Sequence, residues 1–330
     1  MNDKIFLATF DKGITRAEYD PNGDWRIERL VIDHQITCLA SDPSNRRIVY
    51  AGTRNGVLRS DDCGQAWRLS GMDGWVVKSL AVSPHDGNVV YAGTKPALMF
   101  TSGDGGQTWA ELEGFRRIPN RWWWFSPAEL PDRRPYVFAI APSPSKPGTL
   151  LAGVELGAVV CSDDGGRTWS RHRRGALRDC HSLKYHATNG NWVYEAGGSG
   201  GGAAFSQDGG LTFRKAKQGL AKNYGLVCAA DPEKPEIWYI CVAPSPFNAF
   251  GKEPEIYLYR AIDGAGWQPI GWQSQPLPVA ATALTTIPGA PGHLYAGLYN
   301  GDIWHTTDYG DSWTKMPFNV AGIWFSLLVI

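Results

Sequence analysis

The sequence has no excess of charge of either sign: Lys and Arg total 32, as do Asp and Glu, across 330 residues. A balanced chain lacks the basic field that holds a phosphate backbone, so nucleic acid is not expected as a partner. There is no run of about 18 or more apolar residues, and the opening MNDKIFLATFDKGITRAEYD contains no apolar stretch of signal-peptide length. No membrane partner is expected, and a cytoplasmic location is. Cysteine pairs at metal-ligand or redox spacing are also missing. Cys38, Cys63, Cys161, Cys180, Cys228 and Cys241 form no Cys-x-x-Cys motif, and most lie in apolar runs such as ITCLA, LVCAA and WYICVA, as buried thiols do. Cys180 differs, standing between Asp179 and His181. Charged residues make up only 19% of the chain against about 25% in an average domain, while 43% of residues are hydrophobic, enough for a large core.

What the chain has instead is glycine (39), proline (22) and tryptophan (15), a mixture suited to many short strands joined by tight turns. A repeat organises them: an apolar stretch ending in a Pro turn, a strand of the Tyr-Ala-Gly type, a second turn, and a strand running into Ser-x-Asp-x-Gly-x-Thr-Trp. Copies read SDDCGQAW from Ser60, SGDGGQTW from Ser102, SDDGGRTW from Ser162, SQDGGLTF from Ser206 and TTDYGDSW from Thr306. Two worn copies, EYDPNGDW from Glu18 and AIDGAGW from Ala261, complete a set of seven. The repeated Trp or Phe falls at 25, 67, 109, 169, 213, 267 and 313, and the shortest intervals have the length of four short strands with their turns. The expected fold is all-β, a seven-bladed β-propeller of four-stranded blades in one domain spanning residues 1–330. Its blades cover about 4–30 with 322–330, 36–69, 77–112, 137–172, 180–216, 224–270 and 279–316, with insertions at 113–136 and 244–255. The first copy has no inner strand of its own. GIWFSLLVI, residues 322–330, has the character to supply one and close the ring.

Ser and Asp side chains bond backbone N–H groups in such a turn, Gly accepts positive φ, and Trp covers the blade edge. The motif resembles that of the Asp-box, or BNR repeat, family found in sialidases, xyloglucan-cleaving glycoside hydrolases and sortilin-type receptors. That resemblance implies a propeller in which the boxes, at Asp61, Asp104, Asp164, Asp208 and Asp308, are structural turns. Sialidases of this kind use an arginine cluster, a Tyr–Glu nucleophile pair and an Asp acid/base. The resemblance offers Arg117, in the triplet Arg117-Ile118-Pro119, for a carboxylate, Tyr224 with Glu155 as the pair, and Asp179 as the acid. The xyloglucan-cleaving relatives are closer in blade wording, but place two aspartates between two propellers where this chain has one.

With the boxes between strands three and four, both insertions fall on the opposite face, where loops on a rigid scaffold carry function. The first insertion brings Arg116, Arg117, Arg121, Arg133 and Arg134 with Trp122, Trp123 and Trp124, a composition suited to an anionic or carbohydrate ligand. The structural alternative is a solvated rim sealed by tryptophans. Glu155 falls in the second turn of blade 4, and Asp179 and His181 open blade 5. Together they form an acid, base and imidazole set expected to act as the catalytic residues. Supporting positions are Tyr224, His34, Arg54 and Asn300, with Arg116, Arg117, Arg121 and Trp123 holding substrate. No cofactor is expected; a metal ion on His34, His181 and acidic neighbours is left open.

Two readings follow. The first is an intracellular glycoside hydrolase- or lyase-like enzyme acting on a small acidic sugar or other carboxylate compound. The alternative is a noncatalytic propeller that docks a protein or peptide through residues 113–136. A monomer or weak oligomer is expected in either case.

Overall fold

The computed structural model describes residues 5–9, 13–20, 22–30, 35–198, 200–262, 266–272, 276–324 and 326–330. They form seven antiparallel sheets arranged as the blades of a propeller; in blades 2 to 7 the sequence-first strand is innermost, and in blade 1 the last strand of the chain takes that place. Blade 2, for example, runs Ile36–Ser41, Val49–Thr53, Gly56–Ser60 and Arg68–Leu69. Blade 4 has three regular strands, Val137–Pro142, Leu150–Val154 and Val159–Ser162. Its outermost segment is tied on irregularly, through Ser170 N–H to the Cys161 carbonyl and Arg173 N–H to that of Val159.

Ring closure joins the two ends of the chain. Leu327–Val329 pairs antiparallel with Ile5–Thr9 as the inner strand of blade 1, Leu7 opposite Leu328. The Ile5 and Ile330 backbones exchange both hydrogen bonds, at 2.9 and 3.0 Å. Phe6 is fully buried there, edge-on to Tyr295 of blade 7 and to Trp25 of blade 1, so closure buries a ring edge that would otherwise be open.

The repeated glycine has a packing cause. A Cβ on Gly52 would stand 3.0 Å from Val77 of blade 3, one on Gly93 2.6 Å from Val137 of blade 4, and one on Gly153 2.3 Å from the Cys180 sulfur of blade 5. On Gly297 it would meet Ile323 and Leu327 of the closing segment. In each of these four the second strand lies against the next blade too closely for a side chain. The tyrosine two residues earlier also reaches across a seam: Tyr50 donates to the Gly105 carbonyl in the box of blade 3.

The boxes are hydrogen-bonded turns. Asp104 accepts from Ser102, from Thr108 N–H and from the Thr108 hydroxyl, and these bonds hold its pKa down to about 2. Asp164, Asp208 and Asp308 repeat the pattern. In blade 2 the role belongs to Asp62, which accepts from Ser60 and Ala66 N–H, and not to Asp61. Asp61 instead pairs with Arg59 and Arg68 on the surface.

A further regularity lies where the inner strands begin. The pairing with the second strand slips by one residue at Thr37, Lys78, Phe138, His181, Leu226 and Thr282, a bulge at the equivalent position of six blades. Several of these bulged side chains tie one blade to the next. Thr37 donates to the Val77 carbonyl and Thr282 to that of Ile323, while a ring nitrogen of His181 meets the Gly225 carbonyl of blade 6.

Candidate functional site

A central channel of about 780 Å³ runs between the inner strands. The insertion face surrounds its mouth. The first insertion starts on the outer flank, where Phe115 is buried edge-on to Trp169 and Gly114 lies against the Arg167 backbone in the blade 4 box. Only its later part reaches the mouth. There Glu129 bonds Lys78 and, at 2.9 Å, Lys95, whose Nζ also lies 3.6 Å from the Asp132 carboxylate. Burial alone would raise the Glu129 pKa, but the two ammonium groups outweigh it and hold the carboxylate below its ordinary range.

Beneath this strap lie the three residues expected to do acid–base work, and the fold brings them together. Ligand atoms of Glu155, Asp179 and His181 all lie within 4.8 Å of one another. Glu155 sits just past the second strand of blade 4, accepting from the Tyr136 hydroxyl at 2.5 Å and the Ser126 hydroxyl at 3.2 Å. Asp179 precedes the blade 5 inner strand, its Oδ1 3.4 Å from His181 Nε2. The other ring nitrogen, Nδ1, lies 2.8 Å from the Gly225 carbonyl, which can only accept, so Nδ1 carries a proton.

Burial dominates the electrostatics. It raises the Glu155 pKa, against the lowering pull of the Tyr136 hydrogen bond and of His181. For His181 burial alone would lower the value, but the hydrogen bond and charge of Asp179, with Glu155, leave it above the ordinary imidazole range. Burial and the adjacent Glu155 raise the Tyr136 phenol strongly. Lys78 and Lys95 lie 4.9 and 5.7 Å from the Tyr136 ring centre. The set is thus a sealed cluster. His181 and Tyr136 line the channel, whereas Glu155 and Asp179 do not.

The remaining expected positions separate. Arg54 lines the channel, and Tyr224 meets the His181 ring edge-on at 5.1 Å. Arg116 pairs with Glu111, and Arg117 is 80% exposed beside Glu113, both away from the channel. Arg121 is a structural clamp: it donates to the Ala97 and Phe115 carbonyls at 2.6 and 3.0 Å and lies over the Phe115 and Trp124 rings. Trp123 stacks on Trp122 at 4.2 Å and stays exposed. Asn300 holds its own turn through Asp302, and His34 lies outside the described residues.

Sequence reasoning missed the far side of the mouth. Phe250, from the short helix Pro246–Phe250 in the second insertion, packs at 5.7 Å from Tyr299 and 5.3 Å from Trp324, with those two 5.6 Å apart. Tyr299 and Trp324 line the channel. Lys184, deeper inside, donates to the Leu284 carbonyl. The apolar character of the second insertion was the available signal.

Fold and repeats together define a seven-bladed Asp-box β-propeller, and residues 160–171 match the BNR/Asp-box repeat model. Among particular proteins, the photosystem II assembly lipoprotein Ycf48 of Synechococcus sp. (strain CC9902) is 23% identical over 286 residues, covering 84% of this chain and 73% of its own. The GH74 xyloglucanase of Xanthomonas campestris superposes with a TM-score of 0.70 at 19% identity, over 93% of this chain but 50% of its own. A YCF48 structure bound to D1 peptide superposes with a TM-score of 0.60 at 15% identity, over 91% of this chain and 87% of its own. The chain therefore spans about half of the xyloglucanase and most of the Ycf48 proteins. At these identities the structural likeness establishes the fold.

Proposed function

We infer that the protein is a noncatalytic propeller that binds an acidic peptide segment across the insertion-face mouth of its channel. One observation carries this reading: of the eleven large apolar side chains exposed among the described residues, seven belong to the two insertions or are Tyr299 and Trp324, which line the channel. Trp122, Trp123, Phe125 and Leu130 of the first insertion, Phe247 of the second, and Tyr299 and Trp324 are all exposed, Phe247 by 85%. An apolar rim of this kind marks an interaction surface. Inside it the channel presents Arg54 and Lys184, while Lys78 is paired with Glu129, the acidic residue lining it. Cations in a partly desolvated groove favour a partner carrying carboxylates.

Two comparisons support the same reading. A Ycf48 relative is described as bound to a peptide, and this chain covers most of it, whereas it covers half of the xyloglucanase. The proposed test is to pan a random peptide library displayed with free C-termini. Acidic peptides with apolar neighbours are expected, losing about ten-fold in affinity or more with Arg54→Ala or Trp324→Ala. Peptides of no common charge, indifferent to both variants, would contradict the proposal.

The clustering of Glu155, Asp179 and His181 within 4.8 Å favours a second reading, a hydrolase- or lyase-like enzyme on a small acidic sugar or carboxylate substrate. It requires Tyr136 to move aside and expose Glu155. Turnover of a uronic or sialic glycoside, abolished in a folded Asp179→Asn protein, would establish it in place of the first.

A further inference from the structure

We propose that Glu155, Asp179 and His181 form a binding site for one divalent transition-metal ion, of the zinc, cobalt or manganese class, at the seam between blades 4 and 5. The inference is independent of peptide binding, since it concerns atoms beneath the mouth rather than its rim.

The first argument is the histidine tautomer. Because the Gly225 carbonyl fixes the proton on Nδ1, a neutral His181 directs the Nε2 lone pair at the Asp179 oxygen 3.4 Å away. A proton shared between Nε2 and Asp179 holds this pair together, and a metal ion would bind by taking its place. Metal-binding imidazoles are held in this way, one nitrogen donating to a carbonyl while the other ligates. Thr37 and Thr282 make the same cross-blade bond with a hydroxyl. Neither offers a second ligating atom, so the blade 5 bulge alone among these three presents one.

The second argument is charge. Asp179 and Glu155 are each 6% exposed, and buried carboxylates are costly without a compensating cation. The nearby ammonium groups of Lys78 and Lys95 are engaged by Glu129 and Asp132. The His181 ring already stands beside Asp179 as its partner, so a dication that displaces the shared proton would face both acids together.

The third is dimension and donor type. Metal–ligand bonds of about 2.0–2.2 Å place ligand atoms roughly 3–4 Å apart in a four- to six-coordinate site. The three donor atoms lie within 4.8 Å, one pair already at 3.4 Å, so a small contraction suffices. One imidazole with two carboxylates suits zinc, cobalt or manganese, with further positions for water. Gly198 closes the cluster: a Cβ there would stand 2.2 Å from Asp179 Oδ2 and 2.9 Å from His181 Cε1.

The test uses tag-free full-length protein stripped with a chelator. Titration with Co²⁺, read by visible absorption, should saturate at one equivalent per chain, and Zn²⁺ should raise the melting temperature by several degrees. Glu155→Gln and Asp179→Asn should each weaken Co²⁺ binding about ten-fold or more. Absence of saturable binding at millimolar Co²⁺, or unchanged affinity in both variants, would overturn the proposal. A histidine ¹⁵N spectrum of the unmutated protein needs no variant to fold. One ring passing to a metal-bound Nε2 on adding Zn²⁺ supports the site. Every ring unchanged, with His181 protonated on both nitrogens, overturns it in favour of a plain imidazolium–carboxylate pair.

Discussion

Tyr136 donates its hydroxyl to Glu155 across 2.5 Å, and both side chains are buried at the base of the strap that the first insertion lays over the channel. This bond makes the acidic cluster an element of structure as it stands. Removing it leaves a buried carboxylate one donor short, and an unsatisfied group of this kind costs about 1–3 kcal/mol. Tyr136→Phe is therefore expected to lower unfolding stability by that amount in urea titrations. A stability equal to that of the unmutated protein would show that the bond contributes nothing.

Glu195 provides a pH handle away from the mouth. It is fully buried in blade 5, one oxygen accepts from Leu177 N–H, and burial pushes its pKa up to about 8. The folded state thus keeps the proton to higher pH than the unfolded chain, whose value is near 4.5. This contribution is complete below about 4.5 and is lost as pH rises toward 8, a decline on the order of 4 kcal/mol. Glu195→Gln should flatten that decline and be the more stable protein at pH 8.5. Parallel stability–pH curves would refute the assignment.

Arg121 and Arg117 should behave oppositely although they stand four residues apart. Arg121 holds two carbonyls and two rings, so Arg121→Ala is expected to lower the melting temperature by several degrees. Exposed Arg117 should be replaceable by Ala with no measurable change. Equal effects would mean that the insertion is not anchored as described.

Ring closure is tested by removing residues 327–330. The inner edge of blade 1 then loses its partner at Phe6, Leu7 and Ala8, and the chain should lose its cooperative thermal transition and aggregate through the exposed edge. A monomeric product with an unchanged melting temperature would show that closure is dispensable.

The parts legible in the sequence are those with a repeating chemical cause. Box residues such as Ser102, Asp104 and Trp109 recur because each turn needs the same hydrogen bonds, and Gly52, Gly93 and Gly153 because neighbouring blades meet there. The closing strand was legible because blade 1 lacked an inner strand. The doubled acid in Asp61-Asp62 hid which one makes the turn. The insertion misled because composition reveals charge but not path: Phe115 packed on Trp169 keeps Arg116 and Arg117 on the flank. The bulge at His181 was also invisible, since a one-residue slip in register leaves no compositional mark.

Hydrogen–deuterium exchange of the protein with and without a selected acidic peptide tests the central claim most directly. The account predicts slowed exchange in residues 121–136, 244–255 and 322–324 around the channel mouth, with no change in the box turns at 162–169 and 206–213. Protection confined to the box turns, or none at saturating peptide, would contradict it.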